Sequence, residues 1–449
     1  MPTPSTSDGG VLVGGAPVLG LLAPLLPAIV ASILPVFLIG ALVGPMGSEF
    51  GYRETTAGWL MASFFAVSAL VSRRAGAVAD SVGPVTTLQV GLVGSGLTAA
   101  TMATVADSVP VLAIAMMVGG GCNALTQIAA NVYLARYLPP ARHGVAFSIK
   151  QSANPGGVLV AGLLLPTLVL TVGWRSAFGV ASAAALAAAL GLAAVRRWHP
   201  GLSQASPSAV GRPSVDVWPA QPSKASPALS GPAPSGSVLS GPAPSGPGRA
   251  ASDRVMVLVA ASAGFGSASA VALGGFYVES ARDAGLSLGA AGLAASLGSA
   301  TSIIGRIAAG VYADRTGARP RQILGWVAGM LAFGAVALLG FGLRMPWAQW
   351  LALPGAYGIG WAWPGVFNLA VVRARPDEPG RATGVSQTGI YVGTTLGPLI
   401  FGPVSESLGY PLTWSTAAVL ALISAAGMLA ARRNLERPRP PGSSRALAT

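Results

Sequence analysis

The stretch GVYADRTG, Gly310 to Gly317, lies between two long apolar runs. About half a chain upstream, GAVADSVG (Gly76 to Gly83) sets Gly, Asp and Gly at the same spacing, again between apolar runs. A carboxylate recurring at one place in two oily settings points to a duplicated membrane chain. Composition agrees. The chain has 449 residues, 52% of them hydrophobic and 9% charged, with a mean hydropathy of +0.63. A soluble domain carries about 25% charged residues, so the solvent of this chain is lipid. The start, MPTPSTSDGG, has no basic region of the kind that opens a cleaved signal peptide.

Runs long enough to span a bilayer, about 20 residues each, recur twelve times. They lie near 17–44, 56–75, 83–104, 109–135, 143–171 and 174–196, then near 254–279, 287–311, 319–343, 346–372, 381–407 and 411–432. The expected fold is an all-α membrane protein of twelve transmembrane helices in two pseudo-symmetric six-helix halves, 17–196 and 254–432. Tails cover 1–16 and 433–449. Between the halves, 197–253 is rich in Pro, Ser, Gly and Ala and carries LSGPAPSG twice (Leu229 to Gly236, Leu239 to Gly246). Such a composition buries no core and is read as a disordered cytoplasmic linker.

Of 27 Lys and Arg, only Arg53, Arg175, Arg282 and Arg344 fall on outer loops if both termini are cytoplasmic. Lys150 sits inside a span, and the remainder fall on inner loops, linker and tails. That bias follows the positive-inside rule and predicts a multi-pass protein of the cell membrane. The net charge of +13 is thereby accounted for without a nucleic-acid partner. Further residues repeat at one nearly constant separation: Gln151 with Gln387, Gly157 with Gly393, Gly173 with Gly409, and, one residue longer, Asn131 with Asn368 and Arg136 with Arg373. Repeats in the same orientation imply an axis along the membrane normal.

With these features the chain resembles the major facilitator superfamily of secondary transporters. The family's signature between its second and third helices is G-x-L-x-D-R-x-G-R-[KR], with a weaker echo between the eighth and ninth. Here the second copy matches better, through Gly310, Asp314, Arg315 and Gly317, with Arg319 one place late. The first keeps Gly76, Asp80 and Gly83 but has Ser81 and Pro84 where the family has Arg. The resemblance covers both halves and excludes linker and tails. It implies alternating access, with Asp80 touching the start of the eleventh helix near Arg381 and Asp314 the start of the fifth near Arg142. A short-tethered Asp on a Gly-bounded loop can approach such a helix start, where free N–H groups favour negative charge. The competing reading makes both acids topology-setting residues in a solvated charge cluster.

Polar residues inside spans face a cavity or another helix. Asn123, Gln127 and Asn131 form a stripe on the fourth run. Lys150, Gln151 and Asn154 open the fifth. Tyr357, Trp361, Trp363 and Asn368 lie on the tenth, and Gln387, Tyr391, Thr394 and Thr395 on the eleventh. They are candidates for a substrate path, or else interhelical ties worth about 0.6–2 kcal/mol each. Lys150 is the only lysine within a span, and no Asp or Glu falls mid-span to pair with it. If deep, it makes the substrate a small organic anion; if shallow, it snorkels to the surface.

The glycines and prolines Asn154-Pro155-Gly156-Gly157 and Gly397-Pro398 are similar to the family's antiporter-associated motif. Proton-coupled efflux of drugs or metabolites is therefore the alternative function, although no residue is assigned to a coupling proton. The alternative of another class is a membrane-embedded enzyme or a channel, and neither is expected. GLSLG, Gly285 to Gly289, lacks the strand-turn-helix setting of a nucleophile elbow, and Ser287 is read as a helix N-cap. Neither lysine follows a glycine, so there is no phosphate-binding loop. No cofactor or metal is expected. The partners are a small-molecule substrate and the bilayer, and the chain is expected to act as a monomer.

Overall fold

The computed structural model describes residues 25–137, 143–198, 247–375 and 379–436. The N-terminal tail, most of the linker and Arg142 lie outside them. Among the described residues there are helices and no strand, as a chain in lipid requires, because only internally bonded helices or closed barrels satisfy the backbone there.

Helical segments fall on each of the twelve expected runs. Eight are long and apolar enough to span a membrane on their own. The first rod is a bent pair, Leu25–Ala41 and Val43–Phe50, turned by 67°, which makes a ninth if counted as one span. The rest owe their lower apolarity to composition or breaks. The third, Pro84–Thr104, is rich in Thr and Gly. The eleventh, Pro379–Leu408, holds Pro398 and Pro403. The tenth is broken into Pro346–Leu351, a π-turn at Pro354–Gly360 and Pro364–Ala374.

Several boundaries differ from expectation. The second rod runs Glu54–Val82 and the eighth Leu288–Arg315. Asp80 and Asp314 are thus on last helical turns, not on loops. The chain reverses through Gly83 alone after the second rod and through Thr316 to Arg319 after the eighth, with Gly83 and Gly317 at φ 89° and 57°, a region that costs glycine no steric strain. The seventh span ends at Gly275 rather than 279, and a short separate helix, Tyr277–Asp283, follows Phe276. Ser287 does cap the eighth rod, accepting from the Ala290 N–H at 3.2 Å.

Packing repeats with a shift of six. The third rod lies on the sixth as the ninth lies on the twelfth. The first packs on the fifth and sixth as the seventh packs on the eleventh and twelfth. The two sets of six meet along two seams, second against eleventh and fifth against eighth. Glycines permit the contact: a Cβ at Gly162 would meet the backbone of Gly292, and one at Gly58 the backbone of Pro398 and Gly402. The outer surface exposes Leu70, Leu190, Ile304, Val336 and Val419, side chains that a lipid solvent leaves uncovered at no cost.

Candidate functional site: a cavity between the two sets of helices

The fifth rod breaks where its sequence demands. Pro155 has no N–H, so the carbonyl of Gln151 loses its i→i−4 donor. His143–Gln151 ends there, and a new helix starts at Ala153. The tenth rod breaks before Pro364, leaving the carbonyl of Trp361 at the end of its π-turn. Both breaks face one side chain, Arg306 of the eighth rod. Its Nη1 donates to the Gln151 carbonyl at 2.8 Å, its Nη2 to the Trp361 carbonyl at 2.6 Å, and its Nε to Ser302 Oγ at 3.4 Å. The guanidinium also lies over the Trp361 ring, 5.4 Å from its centroid.

Arg306 is fully buried, with no ion-pairing carboxylate among the described residues. The sequence reading had placed it with the inner-loop arginines. That position is corrected: it stands nine residues before Arg315, about 13 Å along a helix at 1.5 Å per residue. The two carbonyls that receive it carry the partial negative charge of helix C-termini, which is what lets a lone cation sit at this depth.

Beside it lies a cavity of about 60 Å³, lined by Gln151, Asn154, Trp361, Trp363 and Thr394 together with Phe37 and other apolar groups. This is several times the room a single water needs and well below the ~300–1,000 Å³ of an open ligand pocket. Lys150 is buried next to Gln151, its Nζ 3.5 Å from Oε1, again with no carboxylate partner among the described residues. The indole N–H of Trp363 is buried and unpartnered. A larger groove of about 530 Å³ between the seventh and eleventh rods is lined by exposed apolar groups such as Val257 and Val392. Its lining is almost wholly apolar, with Thr388 the one polar side chain.

The other path candidates lie elsewhere. Asn123 Oδ1 accepts from Ser32 Oγ at 3.1 Å and ties the fourth rod to the first. Gln127 is buried and Asn131 half-buried, and neither lines the cavity. Tyr357 is fully buried and donates to the Leu273 carbonyl at 2.7 Å. Tyr391 shares a hydrogen bond with Gln387, and Asn368 is buried on the tenth rod with its Oδ1 unpartnered.

At the arginine-rich end, Asp314 accepts from the Val145 N–H at 3.0 Å, in the first turn of the fifth rod, and pairs with Arg373 at 3.3 Å. A carboxylate on a last helical turn is disfavoured by its own helix; the start of another helix and a cation offset that. Gly310 lets the rods approach, since a Cβ there would meet Ser148. Gly76 has no such constraint, its nearest neighbour being Ile128 at 3.9 Å from an added Cβ. Arg315 closes the last turn of the eighth rod. Asp80 is exposed, and the side chain of Arg381, its expected neighbour, lies outside the described residues.

A helical membrane protein whose repeated units meet around a cavity of aromatic and polar side chains has the build of a solute carrier. The family model of the Major Facilitator Superfamily matches residues 25–398, and the chain belongs to that superfamily of transporters. No curated protein matches it.

Proposed function

We propose that the chain is a secondary transporter that moves a small organic anion across the cell membrane by alternating access. Its two six-helix halves, 17–196 and 254–432, rock about the central cavity, with the arginine-rich face and both termini in the cytoplasm. The observation that carries the anion is that two buried cations, Lys150 and Arg306, both bond to Gln151 of the cavity wall and have no carboxylate partner among the described residues. An isolated charge in a bilayer costs several kcal/mol, so an anionic ligand is the natural complement. The unpartnered Trp363 N–H adds a donor, and Phe37 and Trp361 provide apolar walls. Asp314, and Asp80 at the matching position, act on the inner gate.

The test is counterflow in proteoliposomes over a panel of small carboxylates, with binding followed by thermal shift, since a ligand stabilises by RT ln(1 + [L]/Kd). One member is expected to show saturable counterflow. Lys150→Gln is expected to abolish it and Lys150→Arg to retain part. Arg306→Met is expected to remove binding, with Arg306→Lys restoring some of it. Undiminished anion transport in Lys150→Gln removes Lys150 from the site, and a substrate that proves cationic overturns the anion and favours proton-coupled efflux.

A further inference from the structure

The face opposite the arginine-rich one is held by two carboxylates from the second half, each seated on a helix start of the first. Glu406 Oε2 accepts the Thr55 N–H at 3.1 Å, and Oε1 pairs with Arg53 at 3.1 Å. Glu279 Oε1 accepts the Gly44 N–H at 2.9 Å, and Oε2 pairs with Arg282 at 2.8 Å. Neither helix start has a cap of its own: the N-cap positions Leu42 and Arg53 make no side-chain cap bond. The N–H groups left free at a helix start need acceptors, and here the acceptors come from the other half. Asp314 on Val145 is the same device at the opposite end, so contacts of one design close the molecule at both faces.

We propose that Glu279 and Glu406 form the latch of the outer face, and that Glu279 takes up a proton from the outer solution as the latch closes. The proposal rests on the transporter reading but is independent of the anion. When the latch is shut, Glu279 has a side chain only 11% exposed. The charged groups that act on it are Arg282 on its own turn and Glu54 from the second rod. Glu54 accepts from Tyr410 of the twelfth rod at 3.2 Å, and Asp283, on the same short helix as Glu279, faces Arg344 at 2.9 Å. Glu279 lies beyond the end of the seventh span at Gly275. Burial outweighs Arg282 and the Gly44 N–H and, helped by Glu54, holds its carboxyl above the ordinary carboxylate value. With the latch open the group is in water and returns to that value. The closed form therefore binds the proton more tightly. Closure is favoured as pH falls toward the ordinary value, and this support is lost as pH rises through the closed-state value. Glu406, paired with Arg53, holds the latch through its charge.

The test uses the full chain with Cys122→Ser and a reporter Thr394→Cys at the cavity, labelled by an impermeant thiol reagent from the outer side. Rates are taken relative to a Gly402→Leu background at the same pH, which cancels the thiol's own titration. A side chain at Gly402 meets the backbone of Glu54 and Thr55 across the seam and props the face open. Should that variant fail to fold, Gly58→Leu on the facing helix replaces it. The relative rate is expected to fall on mild acidification, to be low and flat with pH in Glu279→Gln, and to rise several-fold at every pH in Glu406→Gln. A relative rate in Glu406→Gln no higher than in the parent reporter chain overturns the latch. A persisting fall with pH in Glu279→Gln overturns the proton site. No substrate enters the assay, so failure of the anion reading leaves the outcome unaffected.

Discussion

Asp314 holds two groups at one point, the Val145 N–H and the Arg373 guanidinium, and Gly144 leaves room for it, since a Cβ there would meet its carboxylate. A charged hydrogen bond contributes about 1.5–3 kcal/mol, and the rods make this one only while the arginine-rich ends are together. Asp314→Asn is expected to leave insertion intact and lower transport, because a contact present in one state biases the equilibrium between states. Asp314→Glu should recover part of the rate and Asp314→Lys none. Near-normal proteoliposome transport in the Asn variant would reduce Asp314 to a topology signal. Lys150 was visible in the sequence as a lone lysine within a run. Arg306 was not, because it stands five residues from the end of the run 287–311, where an arginine ordinarily snorkels. What buries it is a pair of orphaned carbonyls on two other rods. One follows from Pro155, but nothing local to Pro155 says which donor answers it.

At the scale of elements, the breaks in the fifth and tenth rods are the informative irregularities. Proline within a helix costs about 3 kcal/mol, so Pro155→Ala is expected to leave the thermal midpoint equal or higher. The restored N–H would compete with Arg306 for the Gln151 carbonyl and loosen the guanidinium. Transport is expected to fall while stability does not. Unchanged counterflow would show that the break is only tolerated. The twelve runs were legible because apolar length is a property of each segment alone. Their ends were less so: the second and eighth helices continue past their apolar runs to Val82 and Arg315, since a helix in water beyond the bilayer needs propensity and not apolarity. The fourth-run stripe at Asn123 has the right period for a path, yet its partner is Ser32. Periodicity reports a polar face but not what it faces.

For the whole molecule, the repeated packing makes each set of six rods a body joined to the other along two glycine-lined seams. Helices claim 197–198 and 247–253 of the expected linker, and on the tether reading the remaining 199–246 has only to span the gap between the two bodies. Shortening it across 205–247 is expected to leave folding and transport largely intact, and cysteines at Ser235 and Ser245 are expected to label from the cytoplasmic side alone. Lost transport on shortening, or labelling from outside, would overturn the tether or the orientation.

The buried guanidinium also has an electrical meaning. Moving one elementary charge through the full field of a membrane is worth about 2.3 kcal/mol per 100 mV. An unliganded site that keeps Arg306 charged is a positive body, and an interior-negative potential draws it toward the inner side. With Lys150 the vacant site carries two such charges, and a bound monoanion offsets one of them and weakens that pull. The membrane voltage would then act on the return of the empty carrier more than on its loaded crossing, and the cell's resting potential would set how often the vacant site faces out.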